Sequence, residues 1–155
     1  MSSLKAYRIC KTSFADTAFR GEGAKLYGGR WNEIGTKMVY VAGSLSLATL
    51  ELLVHIEDRH LIENFYSVAE VTFSEKLVTE IKSKDLPKNW DANECGYGTQ
   101  AYGTKWITSK KSAILKVPSA VTPGETNYLL NPDHPDFKKI TFGKMKAFEI
   151  DRRLF

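Results

Sequence analysis

At 155 residues, 43% of them hydrophobic, the chain has the length and apolar content for one globular domain with a real core. Twenty-two basic against 18 acidic residues leave a formal net charge of +4, and the lysines are scattered rather than gathered into a stripe, so an anionic partner is tolerated but not required. The two cysteines, Cys10 and Cys95, lack metal-ligand spacing, the N-terminus lacks a basic stretch followed by an apolar run, and no apolar segment approaches the roughly 20 residues that cross a bilayer; these features point to a cytoplasmic protein with free thiols and no membrane role.

The elements alternate between strand-like and helix-like patterns without a repeat or linker, which predicts a single α/β (α+β) unit. Leu4 to Cys10 reads as a first strand. A glycine-rich stretch from Gly21 to Asn32 reads as a loop, and a second strand runs from Lys37 to Ala42. Ser44 is a natural N-cap for a helix to about Asp58. Phe65 to Phe73 alternates as a strand, and Asp85-Leu86-Pro87 ends whatever follows it. A second helix is expected from about Thr99 to Lys111, although Gly103 weakens it. Ala113 to Val117 reads as a short buried strand stopped by Pro118. Phe137 to Phe142 and Lys146 to Ile150 read as a closing hairpin turned near Gly143.

The stretch Gly21-Glu22-Gly23-Ala24-Lys25-Leu26-Tyr27-Gly28-Gly29-Arg30-Trp31-Asn32 carries the most chemistry. Glycines let main-chain N–H groups approach an anion, Arg30 can grip a phosphate with a two-pronged hydrogen bond, and Tyr27 or Trp31 can cover a flat ring. The alternative is a surface loop with a structural arginine, because the spacing matches neither a P-loop nor a dinucleotide fingerprint.

In the first helix, Glu51 lies beside Leu47, Ala48, Val54 and His55, at the border of the stripe that should face the core. A carboxylate there needs a cation or hydrogen-bond donors. It is therefore either an active-site acid or half of a structural ion pair with a nearby arginine. His55, one turn later, reads as a core or boundary histidine, since no second ligand joins it at metal spacing. Tyr40 points away from Val39 and Val41 and is either packing or a stacking wall for a planar ring. Ser119 follows Pro118 where a buried strand ends, a place where sites collect, but no His and Asp partners make it a hydrolase nucleophile. Asn127 and Asn131 read by themselves as turn formers.

Taken together, Tyr7-Arg8-Ile9, Gly28-Gly29-Arg30-Trp31-Asn32, Val39-Tyr40, Leu50-Glu51-Leu52-Leu53-Val54-His55, Asp85-Leu86-Pro87, Val117-Pro118-Ser119-Ala120-Val121, Asn127-Tyr128-Leu129-Leu130-Asn131-Pro132 with His134-Pro135, and Asp151-Arg152-Arg153-Leu154 resemble the RES domain over nearly the whole chain. That family is named for an arginine, a glutamate and a serine. The resemblance implies a single domain over 1–155 with a central mixed or antiparallel sheet, similar to ADP-ribosyltransferase toxins. It implies the toxin of a type II toxin-antitoxin pair that attacks NAD, by hydrolysis, by phosphorolysis, or by transfer of ADP-ribose to a protein. The family's catalytic residues carry over onto Arg30, Tyr40 and Glu51. Arg8, Ser119 and Asn127 join Arg30 and Tyr40 in holding NAD. The partner it implies is an antitoxin with a helix-turn-helix (Xre-type) domain that blocks the cleft, with a homodimer as a further option. No metal is expected, because no cluster of His, Cys or carboxylates has ligand spacing, no cofactor beyond NAD as substrate is expected, and the scattered lysines with no recognisable RNA- or DNA-binding motif argue against direct nucleic-acid binding.

Cleaving the nicotinamide–ribose bond already has a cationic leaving group, so the work is to stabilise an oxocarbenium-like sugar and hold it still. On that chemistry Arg30 binds the pyrophosphate, Tyr40 stacks on nicotinamide, Glu51 hydrogen-bonds the ribose hydroxyls, and Ser119 gives its hydroxyl to the ligand or to Glu51. A glutamate two residues before the catalytic one often marks arginine-directed transferases of the wider superfamily; here the position holds Thr49, which favours NAD depletion. Two rivals stand beside this reading: a nucleic-acid binder drawing on the net positive charge and 12% aromatics, and an inert partner-binding scaffold.

Overall fold

The computed structural model describes residues 2–56 and 65–154. Strands β1 (Ser3–Lys11), β2 (Val39–Ala42), β3 (Tyr66–Ser74), β4 (Val78–Glu80), β5 (Ile114–Pro118), β6 (Thr126–Leu130), β7 (Thr141–Phe142) and β8 (Lys146–Phe148) join helices α1 (Glu22–Tyr27), α2 (Leu45–His55) and α3 (Tyr97–Ser109). They build one curled mixed sheet in the order β4-β5-β6-β2-β1-β3-β7, with β8 also on β3. Among the described strands β4 and β5 pair in parallel and every other pair is antiparallel. The expected α/β single unit with a central mixed sheet is the fold found.

Side-chain alternation divides the core between the sheet's faces. Val39, Val41, Ile114 and Leu130 join Val71 and Phe73 in one cluster. Leu115, Val117 and Leu129 point the other way, where Trp106 and Ile107 of α3 meet Trp31 and Met38. A third cluster sets Leu47 and Ala48 of α2 on Ala42, with Tyr7 and Ile9 packed against it. Both α2 and α3 contribute to the clusters that flank the cleft described below.

The capping expectation for α2 holds: Ser44 Oγ accepts from Leu47 N at 3.1 Å. The helix is assigned through His55, and Asp58 lies outside the described residues. α3 runs through Gly103, where a Cβ would overlap the Trp31 carbonyl oxygen; the residue that weakened the helix by propensity permits its close docking.

Three sequence expectations are corrected. The glycine-rich stretch is not all loop: α1 forms inside it, bounded by Gly21 (φ 74°) and Gly28 (φ 73°), both in backbone conformations that favour glycine. Asn127 is not in a turn but within β6, a strand masked in the sequence by the polar Thr126-Asn127 start. The closing segments are not a hairpin. β7 and β8 both run antiparallel along β3, with Phe142 opposite Val71 and Lys146 opposite Val68, so the register slips by one residue between them. Gly143 N donates to Glu70 O at 2.8 Å, and a Cβ on Gly143 would crowd that same oxygen. The glycine therefore marks a bulge in one interrupted edge strand rather than a turn. No helix among the described residues is long and apolar enough to cross a membrane.

Candidate active site

Where α2 lies beside β2 and β6, a cleft opens. A small recess of about 210 Å³, walled by Tyr7, Ile9, Ala48 and Leu52, adjoins a limb of about 1320 Å³ reaching toward α1 and residues 91–95. Arg8, Tyr40, Glu51, His55 and Asn127 border both spaces and so stand at their junction. Arg30 lines the larger limb, and Ser119 sits just behind its wall, between Pro118 and Ala120.

Glu51 is held at the junction by two neutral donors. Asn127 Nδ2 donates to its Oε1 at 2.7 Å and Ser119 Oγ donates to the same oxygen at 2.9 Å. Ser119 Oγ in turn accepts from Val121 N and Thr122 N, both at 3.1 Å. With its lone pairs occupied by backbone N–H groups, the hydroxyl must direct its proton to Glu51. Both donors converge on Oε1, so Oε2 carries none of these bonds and remains for a ligand. The ion-pair alternative for Glu51 fails among the described residues, where no salt bridge includes it. Asn131, by contrast, does build a turn: it is fully buried, and its Oδ1 accepts from Asp133 N at 3.0 Å.

Tyr40 presents its ring to the cleft while its hydroxyl is locked away. The hydroxyl donates to Asn32 Oδ1 and accepts from Trp31 N at 3.0 Å. Burial pushes it well above the ordinary tyrosine value, so it stays protonated. Asn32 is fully buried and also donates through Nδ2 to the Ala24, Glu33 and Thr36 carbonyls, knitting the glycine-rich segment together. This hub has no signature in the sequence, because a lone asparagine after a glycine-rich run looks like a turn residue. Trp31, one of two candidates for covering a ring, is instead buried in the core, and Tyr27 is 81% exposed on the rim.

The two arginines differ. Arg8 Nη1 donates to Tyr40 O at 3.1 Å, while its shielded Nε has no hydrogen-bond partner. Burial lowers its guanidinium below the ordinary arginine value, with the Cys10 side chain opposing that shift. Such a half-desolvated cation facing a cleft suits an anion. Arg30 spends Nη1 on Trp90 O at 2.8 Å and keeps its other N–H groups. Its loop is fixed from α3 as well, since Gln100 Nε2 donates to Gly29 O at 3.1 Å. Among the described residues no group of three or more His, Cys, Asp or Glu side chains could hold a metal.

A model of the RES domain matches residues 5–151. This chain belongs to the RES domain family. It is 41% identical over 149 residues to a protein named Toxin Res from Photorhabdus laumondii subsp. laumondii, covering 96% of this chain and 95% of that one. It is 42% identical over 139 residues to one named Prs ADP-ribosylating toxin from a Sphingobium species, covering 86% and 84%. The RES fold seen here is shared with a chain in the crystal structure of the M. tuberculosis MbcT-MbcA toxin-antitoxin complex, with a TM-score of 0.73 at 18% identity over 95% of this chain and 85% of that one.

Proposed function

We propose that this RES protein is the toxin of a toxin-antitoxin pair and cleaves NAD+ at the nicotinamide–ribose bond, depleting the cell of NAD. The observation that carries the reading is Glu51, a carboxylate fixed through one oxygen by Ser119 and Asn127 and lining a cleft edged by two arginines, with its other oxygen free of those two bonds. The toxin names of the similar proteins support it.

In this reading nicotinamide enters the small recess, whose volume suits one small ring, against the Tyr40 ring. The ADP half lies in the larger limb, and Arg8 and Arg30 hold the pyrophosphate. Glu51 Oε2 accepts from a ribose hydroxyl, and its negative charge stabilises the positive charge that grows at C1 as the bond to nicotinamide breaks. Nicotinamide leaves with the bonding electron pair, neutral, so no general acid is needed; water or phosphate then attacks C1. Ser119 and Asn127 are positioning residues that keep the carboxylate from turning away.

A second reading, transfer of ADP-ribose to a protein, is favoured by the 42%-identical relative named an ADP-ribosylating toxin. The neutralising partner is an antitoxin, of the helix-turn-helix type that the family resemblance implies, seated over the cleft.

The test follows nicotinamide release from NAD+ with and without phosphate. Glu51→Gln keeps the shape but loses the charge and is expected to lower turnover by at least about 100-fold with NAD+ affinity changed by less than about 5-fold. Arg30→Ala should weaken binding as well. Phosphate-dependent release identifies phosphorolysis. Wild-type rates in Glu51→Gln remove Glu51 from the mechanism, and release only in the presence of a protein acceptor selects the transfer reading.

A further inference from the structure

The cleft's charges are unevenly distributed. Arg8 and Arg30 are the only lysine or arginine side chains lining it among the described residues. Arg8 stands at the junction and Arg30 in the larger limb, and in the reading above the two hold the pyrophosphate. Besides Glu51 at the junction, the acidic liners of the larger limb are Asp91 and Glu22. Glu22 is compensated from outside by Lys37, 3.5 Å away. Asp91 has no salt bridge or side-chain hydrogen bond among the described residues.

Asp91 is also held in position rather than carried on a free tip. Arg30 grips the carbonyl of the residue before it at 2.8 Å. Two successive turns close around it, Trp90 N to Pro87 O and Ala92 N to Asn89 O, each at 3.1 Å, and Trp90 packs against the α3 core cluster. The group that binds the pyrophosphate in the proposed pose thus also fixes where the next carboxylate stands. One step beyond the pyrophosphate in a dinucleotide is the adenosine ribose. A carboxylate there accepts hydrogen bonds from a ribose diol, whereas a 2′-phosphate would bring about −1.5 to −2 further charge against it, and the neighbouring cations are already engaged, Arg30 with the Trp90 carbonyl and Lys37 with Glu22.

We propose that Asp91, seconded by Glu22, makes this site selective for the dinucleotide whose adenosine ribose is unphosphorylated, NAD+ over NADP+. This rests on the cleft being the NAD site. It adds a specificity determinant that lies outside the Arg30–Tyr40–Glu51 set, in a segment the sequence reading passed over.

The experiment measures kcat/KM for nicotinamide release from NAD+ and from NADP+ by the whole chain, as wild type, Asp91→Asn and Asp91→Arg. The wild type is expected to prefer NAD+ by at least about 10-fold. Asp91→Asn should narrow that ratio and Asp91→Arg should close or invert it, through a lower KM for NADP+ rather than a higher kcat. Equal use of both dinucleotides by the wild type, or an unaltered ratio in Asp91→Arg, overturns the proposal. Calorimetric titration of Glu51→Gln with each dinucleotide separates this outcome from failure of the functional reading. Tighter NAD+ than NADP+ binding that Asp91→Arg reverses supports the selectivity even without turnover, and binding of neither overturns both.

Discussion

At the scale of single residues, the site is governed by which polar atoms are already satisfied. Tyr40 is the clearest case. Its hydroxyl bridges Asn32 Oδ1 and Trp31 N, so it supports the segment that carries Arg30 and offers only its ring to the cleft. Tyr40→Phe would keep the ring but strand a buried acceptor and a backbone donor. The expected loss is roughly 1–3 kcal/mol of stability, read by denaturant unfolding, with stacking retained. An unchanged midpoint would show that the two groups find other partners. Asn127 has the converse role, acting on Glu51 rather than on the scaffold. Asn127→Ala is expected to lower kcat for NAD+ cleavage about 10-fold with a smaller effect on KM, because a carboxylate held by Ser119 alone samples unproductive rotamers. A change confined to KM would make Asn127 a direct ligand contact instead. Tyr40 and Glu51 were visible in the sequence as residues requiring explanation. Asn32 was not, and Asn127 entered only through the family resemblance, since by itself asparagine suits turns as well as buried networks and only the neighbours decide.

At the scale of elements, glycine has opposite consequences in different helices. Gly103 in α3 faces the Trp31 carbonyl with no room for a methyl group, while Gly23 in α1 faces open space. Gly103→Ala should therefore push α3 off the segment that bears Arg30, costing at least about 2 kcal/mol in urea unfolding and reducing activity with it. Gly23→Ala removes a flexible residue from a helix interior and should be neutral or stabilising by up to about 1 kcal/mol. If both substitutions cost the same, the close approach of α3 is not what Gly103 provides. The sequence located β1, β2, α2, β3, α3 and β5 within a few residues because periodicity, Ser44 and Pro118 mark them locally. It missed α1, β4 and β6. α1 and β4 are too short for a period to show, and β6 opens on polar residues because one of them, Asn127, turns toward Glu51 rather than toward the core.

At the scale of the whole molecule, the cleft is assembled from distant segments: Arg8 in β1, Arg30 after α1, Tyr40 in β2, Glu51 in α2 and Asn127 in β6. A ligand that bridges them should stabilise the fold as a unit. In the Glu51→Gln background, which limits turnover, NAD+ at about 100 times its Kd is expected to add about 2.7 kcal/mol of stability, seen as a concentration-dependent rise in Tm. No rise at millimolar NAD+ would argue against the cleft as its site. The sequence by itself determined the α/β class and the RES family and singled out Arg30, Tyr40 and Glu51 as the candidate site residues, because those depend on local patterns and on motifs in a fixed order. The tertiary structure alone decided that Ser119 and Asn127 meet on one oxygen of Glu51 across separations of 68 and 76 residues. It also decided that Gly143 makes a bulge rather than a turn and that Asp91 stands in the same cleft as Arg30. The physical reason is the same in each case: a hydrogen bond, a register or a shared cavity is set by the pairing of strands far apart in the chain, and no local preference encodes that pairing.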